Sequence, residues 1–235
     1  MTKGTLFLIP SPLGNEDVEN VIPAGALAIV RWLTAFIVEE VKTARRYLRQ
    51  AGVKTDFSNI RFFTYNEHSE QTDVRPVIDF LMSGHDVGLL SEAGMPCVAD
   101  PGGGMVQEAH RNGIRVIPLT GPSSILLALI ASGFNGQNFA FNGYLPVNRN
   151  ERHWALKELE RKAYRDNQTQ IFIETPYRNH AIFQAIMQAC HPETMLCIAC
   201  DLTLETEFIS TLSVDEWKKN PPDINKRPAV FLIYK

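Results

Sequence analysis

Short apolar runs recur along the first half of the chain, each closed by a turn and followed by a stretch with helical spacing. Residues 5–10 (TLFLIP), 36–39, 61–65, 87–90 and 115–119 read as strands. Between them, 23–33, 42–50, 74–83 and 104–112 read as helices, with Pro23 suited to a first turn and Gly84 to a helix end. A further apolar helix runs from Ser123 or Ser124 to Ala131, where a serine serves as cap. Strands alternating with helices predict a mainly parallel sheet. The polar stretch 132–138 (SGFNGQN) interrupts the pattern and is placed as a domain boundary, giving domains 1–132 and 133–235. In the second half, 148–165 and 179–189 read as helices and 169–174, 195–201, 205–212 and 229–234 as strands. The last three strands have short connections, so this sheet is expected to be mixed or antiparallel. The expected fold class is therefore α/β in two domains.

The chain is organised around residues 89–104, LLSEAGMPCVADPGGG. A buried strand here runs into a long loop of Gly, Pro, Ser and acids, and then into a helix. Long loops inside compact domains are commonly functional, and the carboxyl ends of strands are where open α/β sheets hold ligands. Gly94 and Gly102 allow a backbone to approach a ligand closely. After the first strand, Ser11-Pro12-Leu13-Gly14 stands where a dinucleotide fold carries its glycine fingerprint. Its prolines remove donors that would cradle a pyrophosphate, which speaks against NAD and against a P-loop nucleotide. At 120–124 (TGPSS), Ser123 and Ser124 open a helix whose amino end suits a ligand carboxylate.

Composition changes little: 235 residues, 45% hydrophobic, 21% charged, formal net charge −3, is ordinary globular usage. With no global basic field, a nucleic-acid partner must be met by local cations. Two supplies exist: the helix bearing Lys42, Arg45, Arg46 and Arg49, and the segment 148–165 with Arg149 and Arg152. No apolar run approaches the ~20 residues that span a membrane, and MTKGTLFLIP is too short for a secretory signal, so a cytoplasmic protein is expected. Cys197 and Cys200 form a CxxC inside a strand; alternation puts them on opposite faces, and no metal is expected.

Six segments, LFLIPSPLGN, TYNEHSE, LLSEAGMPCVADPGG, LTGPSSI, FNGYLP and IETPYR, stand in an order and spacing that resemble the tetrapyrrole methylase-like methyltransferases. Within that group the chain is most similar to the branch that 2′-O-methylates a cytidine of small-subunit ribosomal RNA. The resemblance implies S-adenosylmethionine as donor, a cofactor cleft between two α/β domains, and a homodimer. It implies donor contacts at Pro10, Ser11, Glu92, Ala93, Gly94, Pro96, Ser123, Ser124, Tyr144, Leu145 and Glu174. Candidates for a base toward a ribose hydroxyl are Glu92, Glu67, His68 and Glu39, and for RNA contacts Lys42, Arg45, Arg46, Arg149 and Arg152. Two departures stand out. The branch's SDAGTP is SEAGMP here, and its AEDTR is Val38-Glu39-Glu40-Val41-Lys42. Lys42 cannot make the bidentate phosphate contact of an arginine. A small-molecule methyltransferase of the same fold, or a family member that binds donor or RNA without turnover, are the alternatives.

Overall fold

The computed structural model describes residues 2–15, 17–66, 69 and 71–235, with the backbone alone at 71–73. Contacts divide the chain into two compact units, Met1–Ser123 and Ser124–Lys235. In the first unit, β1 (Thr5–Ile9), β2 (Ala35–Val38), β3 (Arg61–Thr64), β4 (Val87–Leu90) and β5 (Arg115–Pro118) form one sheet in the order β3-β2-β4-β1-β5. Every neighbouring pair is parallel. The connections are α1 (Val18–Val21), α2 (Ala24–Trp32), α3 (Val41–Gln50), α4 (Gln71–Met82) and α5 (Gly103–Arg111).

Both faces of this sheet are covered. Phe7, Ile9, Phe36 and Val38 pack with Leu27 and Val30 of α2 and Leu48 of α3. Leu6, Ala35, Ile37, Val87 and Leu89 pack on the other side with Leu81 of α4 and Met105 of α5. Each large side chain fully buried this way contributes about 1.5–3 kcal/mol. Gly88 sits at a tight crossing: a Cβ there would stand 2.4 Å from Ile9 Cδ1 and 3.1 Å from Phe36 Cδ1. Because all strands run the same way, the loops after β1, β2, β4 and β5 gather at one edge.

The second unit holds α6 (Ser124–Ser132), β6 (Phe139–Tyr144), α7 (Arg149–Asp166), β7 (Thr169–Ile173), α8 (Asn179–Ala189), β8 (Met195–Cys200), β9 (Phe208–Ser213), α9 (Val214–Lys219) and β10 (Ala229–Tyr234). Its sheet order is β6-β7-β10-β8-β9; β6 and β7 are parallel and the remaining pairs antiparallel, a mixed sheet as expected. Leu156 and Leu159 of α7 and Ile182, Phe183 and Ile186 of α8 cover one face, together with Trp217 of α9. The indole Nε1–H of Trp217 donates to the Leu196 carbonyl at 2.9 Å. Cys200 belongs to that core and Cys197, three residues earlier, does not. Burial raises both thiols, Cys200 to about 11.

The boundary expected after residue 132 lies nine residues earlier in the contact division. The reason is α6. Its Ile125, Ala128 and Leu129 are buried, and the helix packs on β8, β9 and β10. The polar stretch is a connection inside the second unit, tied by Asn135 Nδ2 to the Asn167 carbonyl and Asn138 Nδ2 to the Asp166 carbonyl, each at 2.8 Å.

Candidate active site

In the first unit, three strand-end loops are fastened to one another before any ligand is considered. Ser11 and Gly94 exchange both backbone hydrogen bonds, Ser11 N–H to Gly94 O at 2.9 Å and Gly94 N–H to Ser11 O at 3.0 Å. Ser11 Oγ donates to the Ser91 carbonyl at 2.5 Å. Ser11 is thus a buried brace whose N–H, carbonyl and hydroxyl all engage the β4 loop. The Pro10 carbonyl accepts from the Tyr47 hydroxyl at 3.1 Å, and burial pushes that phenol up from its ordinary value. The loop after β5 lies against Pro10 so closely that a Cβ on Gly121 would stand 2.2 Å from Pro10 Cγ. Gly94 has φ 71°, a left-handed conformation that a side chain would strain. Pro96 is buried, whereas Glu92 and Ala93 are exposed. Ser124 opens α6, and Ser123 directly precedes it.

The β4 loop also carries strain without glycine. Cys97 has φ 67° and Ala99 φ 55°, left-handed conformations uncommon for residues with a Cβ. These turns bring Asp100 back into a partly buried position beside the strand ends. Burial, and then the Glu92 carboxylate nearby, raise the Asp100 carboxyl, while hydrogen bonds with Glu39, Ser91 and the Cys97 backbone oppose the rise. Glu92 itself is anchored from α3: Thr43 Oγ1 donates to Glu92 Oε1 at 2.7 Å. Glu92 and Glu39 were visible as candidates in the sequence. Asp100 and Thr43 were not, although an acid at the far end of a Gly- and Pro-rich loop was the available signal for Asp100. Glu67 and His68 lie outside the described residues. Among the described residues no group of three or more His, Cys, Asp or Glu could hold a metal ion.

In the second unit, Tyr144 ends β6 after a bulge in which Gly143 takes φ 64°. Tyr144 is 55% exposed; Leu145, expected as a donor contact, instead turns its side chain into the core. Glu174 is buried at the end of β7. Its Oε1 accepts from Thr175 N–H at 2.8 Å, and its Oε2 lies 2.8 Å from Arg178 Nη2. That second contact is an ion pair whose N–H direction is not aligned as a hydrogen bond. The Glu174 carboxylate is therefore engaged within the fold, and a donor contact is not its evident task.

The expected cations divide in the same way. Lys42, Arg45 and Arg46 are exposed along α3. The Arg45 guanidinium lies over the Phe57 and Phe62 rings at 5.4 and 5.6 Å, and that of Arg49 over Phe57 at 4.1 Å. Arg149 reaches Gln188 Oε1 at 3.3 Å. Arg152 folds back to the Val147 carbonyl at 3.0 Å, leaving its Nε buried without a partner. Further along α7, Arg161 pairs with Glu158 and Lys157 with Glu160. The exposed Arg161–Glu158 pair contributes about 0–1 kcal/mol and describes a solvated face, whereas Glu160 is mostly buried and also accepts from Thr194 Oγ1 at 2.6 Å.

Comparisons with known proteins agree with this architecture. The family model of the tetrapyrrole (corrin/porphyrin) methylases matches residues 5–217. A ribosomal RNA small subunit methyltransferase I of Pseudomonas aeruginosa is 30% identical over 236 residues, 99% of this chain and 79% of that protein. The protein of the same name from Vibrio cholerae is 28% identical over 97% of this chain and 76% of its own length. Among solved structures, the methyltransferase CobJ superposes with a TM-score of 0.66 at 17% identity, covering 99% of this chain and 94% of that one. A Thermus thermophilus uroporphyrin-III C-methyl transferase complexed with S-adenosyl homocysteine gives 0.60 at 16% identity, over 99% and 98%. At such identities the structures speak for the fold alone. Together with the family match and the sequence relatives, the parallel sheet, its braced strand-end loops and the mixed second sheet make this chain a member of the tetrapyrrole methylase family of S-adenosylmethionine-dependent methyltransferases.

Proposed function

We propose that the protein transfers a methyl group from S-adenosylmethionine to a ribose 2′-hydroxyl of a cytidine in small-subunit ribosomal RNA. The reading rests on one observation, the exposed Glu92 carboxylate at the carboxyl end of β4, held by Thr43. The relatives' names supply the substrate class. The residues fit the donor. The loops after β1, β4 and β5 offer backbone and small side chains, with prolines where a phosphate would need donors, and the donor carries no phosphate. Its cationic sulfonium and ammonium groups suit a site lined by Glu39, Glu92 and Asp100.

When bound, the donor supplies an activated methyl for in-line displacement. The chain's own part is to orient, to exclude water and to manage one proton. Thr43 fixes Glu92 through Oε1, which leaves Oε2 to accept the proton of an incoming hydroxyl. Burial raises the Asp100 carboxyl, which limits negative charge beside Glu92. The Ser11–Gly94 exchange and the Pro10–Gly121 contact keep the three loops in register, so little ordering remains for binding to cost. Along α3, Lys42, Arg45 and Arg46 are the phosphate contacts. A guanidinium stacked on a ring keeps its N–H edge open to an anion. The test is tritiated methyl transfer to small-subunit ribosomal RNA lacking its native methylations, with nuclease mapping of the label. Label on a single cytidine ribose is expected. Label on no RNA, with turnover of a small acidic acceptor instead, sinks the proposal.

A further inference from the structure

The loop after β7 presents an aromatic ring that no part of the mechanism above uses. Tyr177 is 79% exposed, yet the backbone of its turn is held from several sides. It is the middle residue of a 3-10 turn, Pro176–Arg178, closed by Arg178 N–H to the Thr175 carbonyl at 2.8 Å. Glu174 and Arg178 clamp the turn from below. From the side, Lys226 N–H donates to the Pro176 carbonyl at 3.1 Å. Lys226 takes the left-handed φ of 60° there. Asn179, wholly buried, ties the start of α8 to the same strap through Nδ2 bonds to the Ile224 carbonyl at 3.0 Å and the Arg227 carbonyl at 2.6 Å. The consequence is an exposed Tyr177 ring on a held backbone, with the exposed Lys226 Nζ 5.9 Å from its centroid.

A rigid exposed aromatic ring beside a flexible cation is the chemistry that holds single-stranded nucleic acid. A base stacks on the ring, and the ammonium meets the adjoining phosphate. Stacking on a ring that needs no ordering keeps the full gain of the contact. We infer that Tyr177 is a stacking platform for an unpaired base of the RNA substrate and that Lys226 neutralises a neighbouring phosphate. The inference rests on the RNA reading above and assigns the part of that substrate which is unpaired.

Binding of a short single-stranded RNA, and of the same sequence as a duplex, is to be measured for the full chain and for Tyr177→Ala, Tyr177→Phe and Lys226→Ala. Tyr177→Ala should weaken the single strand about 5- to 150-fold, the range for one stacked base, with an unchanged melting temperature. Tyr177→Phe should retain affinity. Lys226→Ala should reduce the slope of log affinity against log salt by roughly 0.7, the single-strand value for one phosphate. Unchanged affinity in Tyr177→Ala overturns the inference while leaving the RNA reading intact, provided methyl transfer to RNA persists in the wild type. A loss of S-adenosylhomocysteine binding in Tyr177→Ala with RNA affinity unchanged overturns it too, and gives the ring to the donor. Equal affinity for duplex and single strand likewise overturns it. No binding or methylation of RNA by the wild type overturns both readings together.

Discussion

The β4 loop of the first unit and the β7 turn of the second are both polar segments at strand ends, and they handle charge in opposite ways. In the second unit the buried carboxylates face opposite charge: Glu174 in the β7 turn is met by Arg178 and Thr175 N–H, and Asp201 after β8 by Arg227 Nε and Thr206 Oγ1 at 2.8 Å each. In the β4 loop, acids are brought together. Glu92 stands near Asp100, Asp100 is raised by burial, and two non-glycine residues occupy left-handed backbone. The first arrangement makes a scaffold. The second keeps strained, like-charged groups in place, which is the usual physical mark of a reacting site.

The difference can be broken at three points. Arg178→Ala would leave the buried Glu174 carboxylate without its counter-charge, and a broken buried pair costs about 3–5 kcal/mol. Denaturant unfolding should show that loss, and Glu174→Gln added to Arg178→Ala should recover part of it. Glu92→Gln keeps shape and removes charge at an exposed position. Methyl transfer should fall tenfold or more, about 1.4 kcal/mol or above, with the unfolding midpoint little changed; full turnover would return Glu92 to a mere loop residue. Asp100→Asn should stabilise the protein at pH 7 by about 0.5–1 kcal/mol, as relief of functional strain does, while slowing the reaction. The sign follows from the raised carboxyl. The folded state keeps a proton that the unfolded chain releases near the ordinary 3.8, so wild-type stability from this group is complete below that value. It is lost as pH rises through the raised folded value. The advantage of Asp100→Asn over wild type in thermal melts should therefore be largest at neutral pH and vanish in acid.

Much of the fold was legible because the inner parallel strands β2 and β4 are buried on both faces and so read as unbroken apolar runs, AFIV and VGLL. The place of α6 was not legible. A helix apolar on every side reads alike in either unit, and its packing on β8, β9 and β10 is a tertiary fact. Glu92 could be found because glycine and proline announce the loop around it. Asp100 could not, since the turns that bury it use Cys97 and Ala99, residues with no visible preference for that backbone. The cations of α3 could be named as RNA candidates, but the stacking of Arg45 and Arg49 could not be foreseen, because the Phe57 ring beneath them lies beyond the end of their own helix.

The position of β1 has a consequence for the order of assembly. The strand of this sheet that comes first in sequence lies inside it, and its partners come late: Leu6 pairs with Val87, and Thr5 with Arg115. On a growing chain β1 therefore has no edge to join until β4 has emerged, and its second edge stays open until β5 follows. The first unit gains its two-sided core in one late step, across loops whose closure slows folding. Until then, an apolar amino-terminal strand waits unpaired, open to association with other chains. The antiparallel ladder of β8 and β9 closes between near neighbours in sequence. The half that carries Glu92 and Asp100 is thus the one whose inner strand must wait for distant partners.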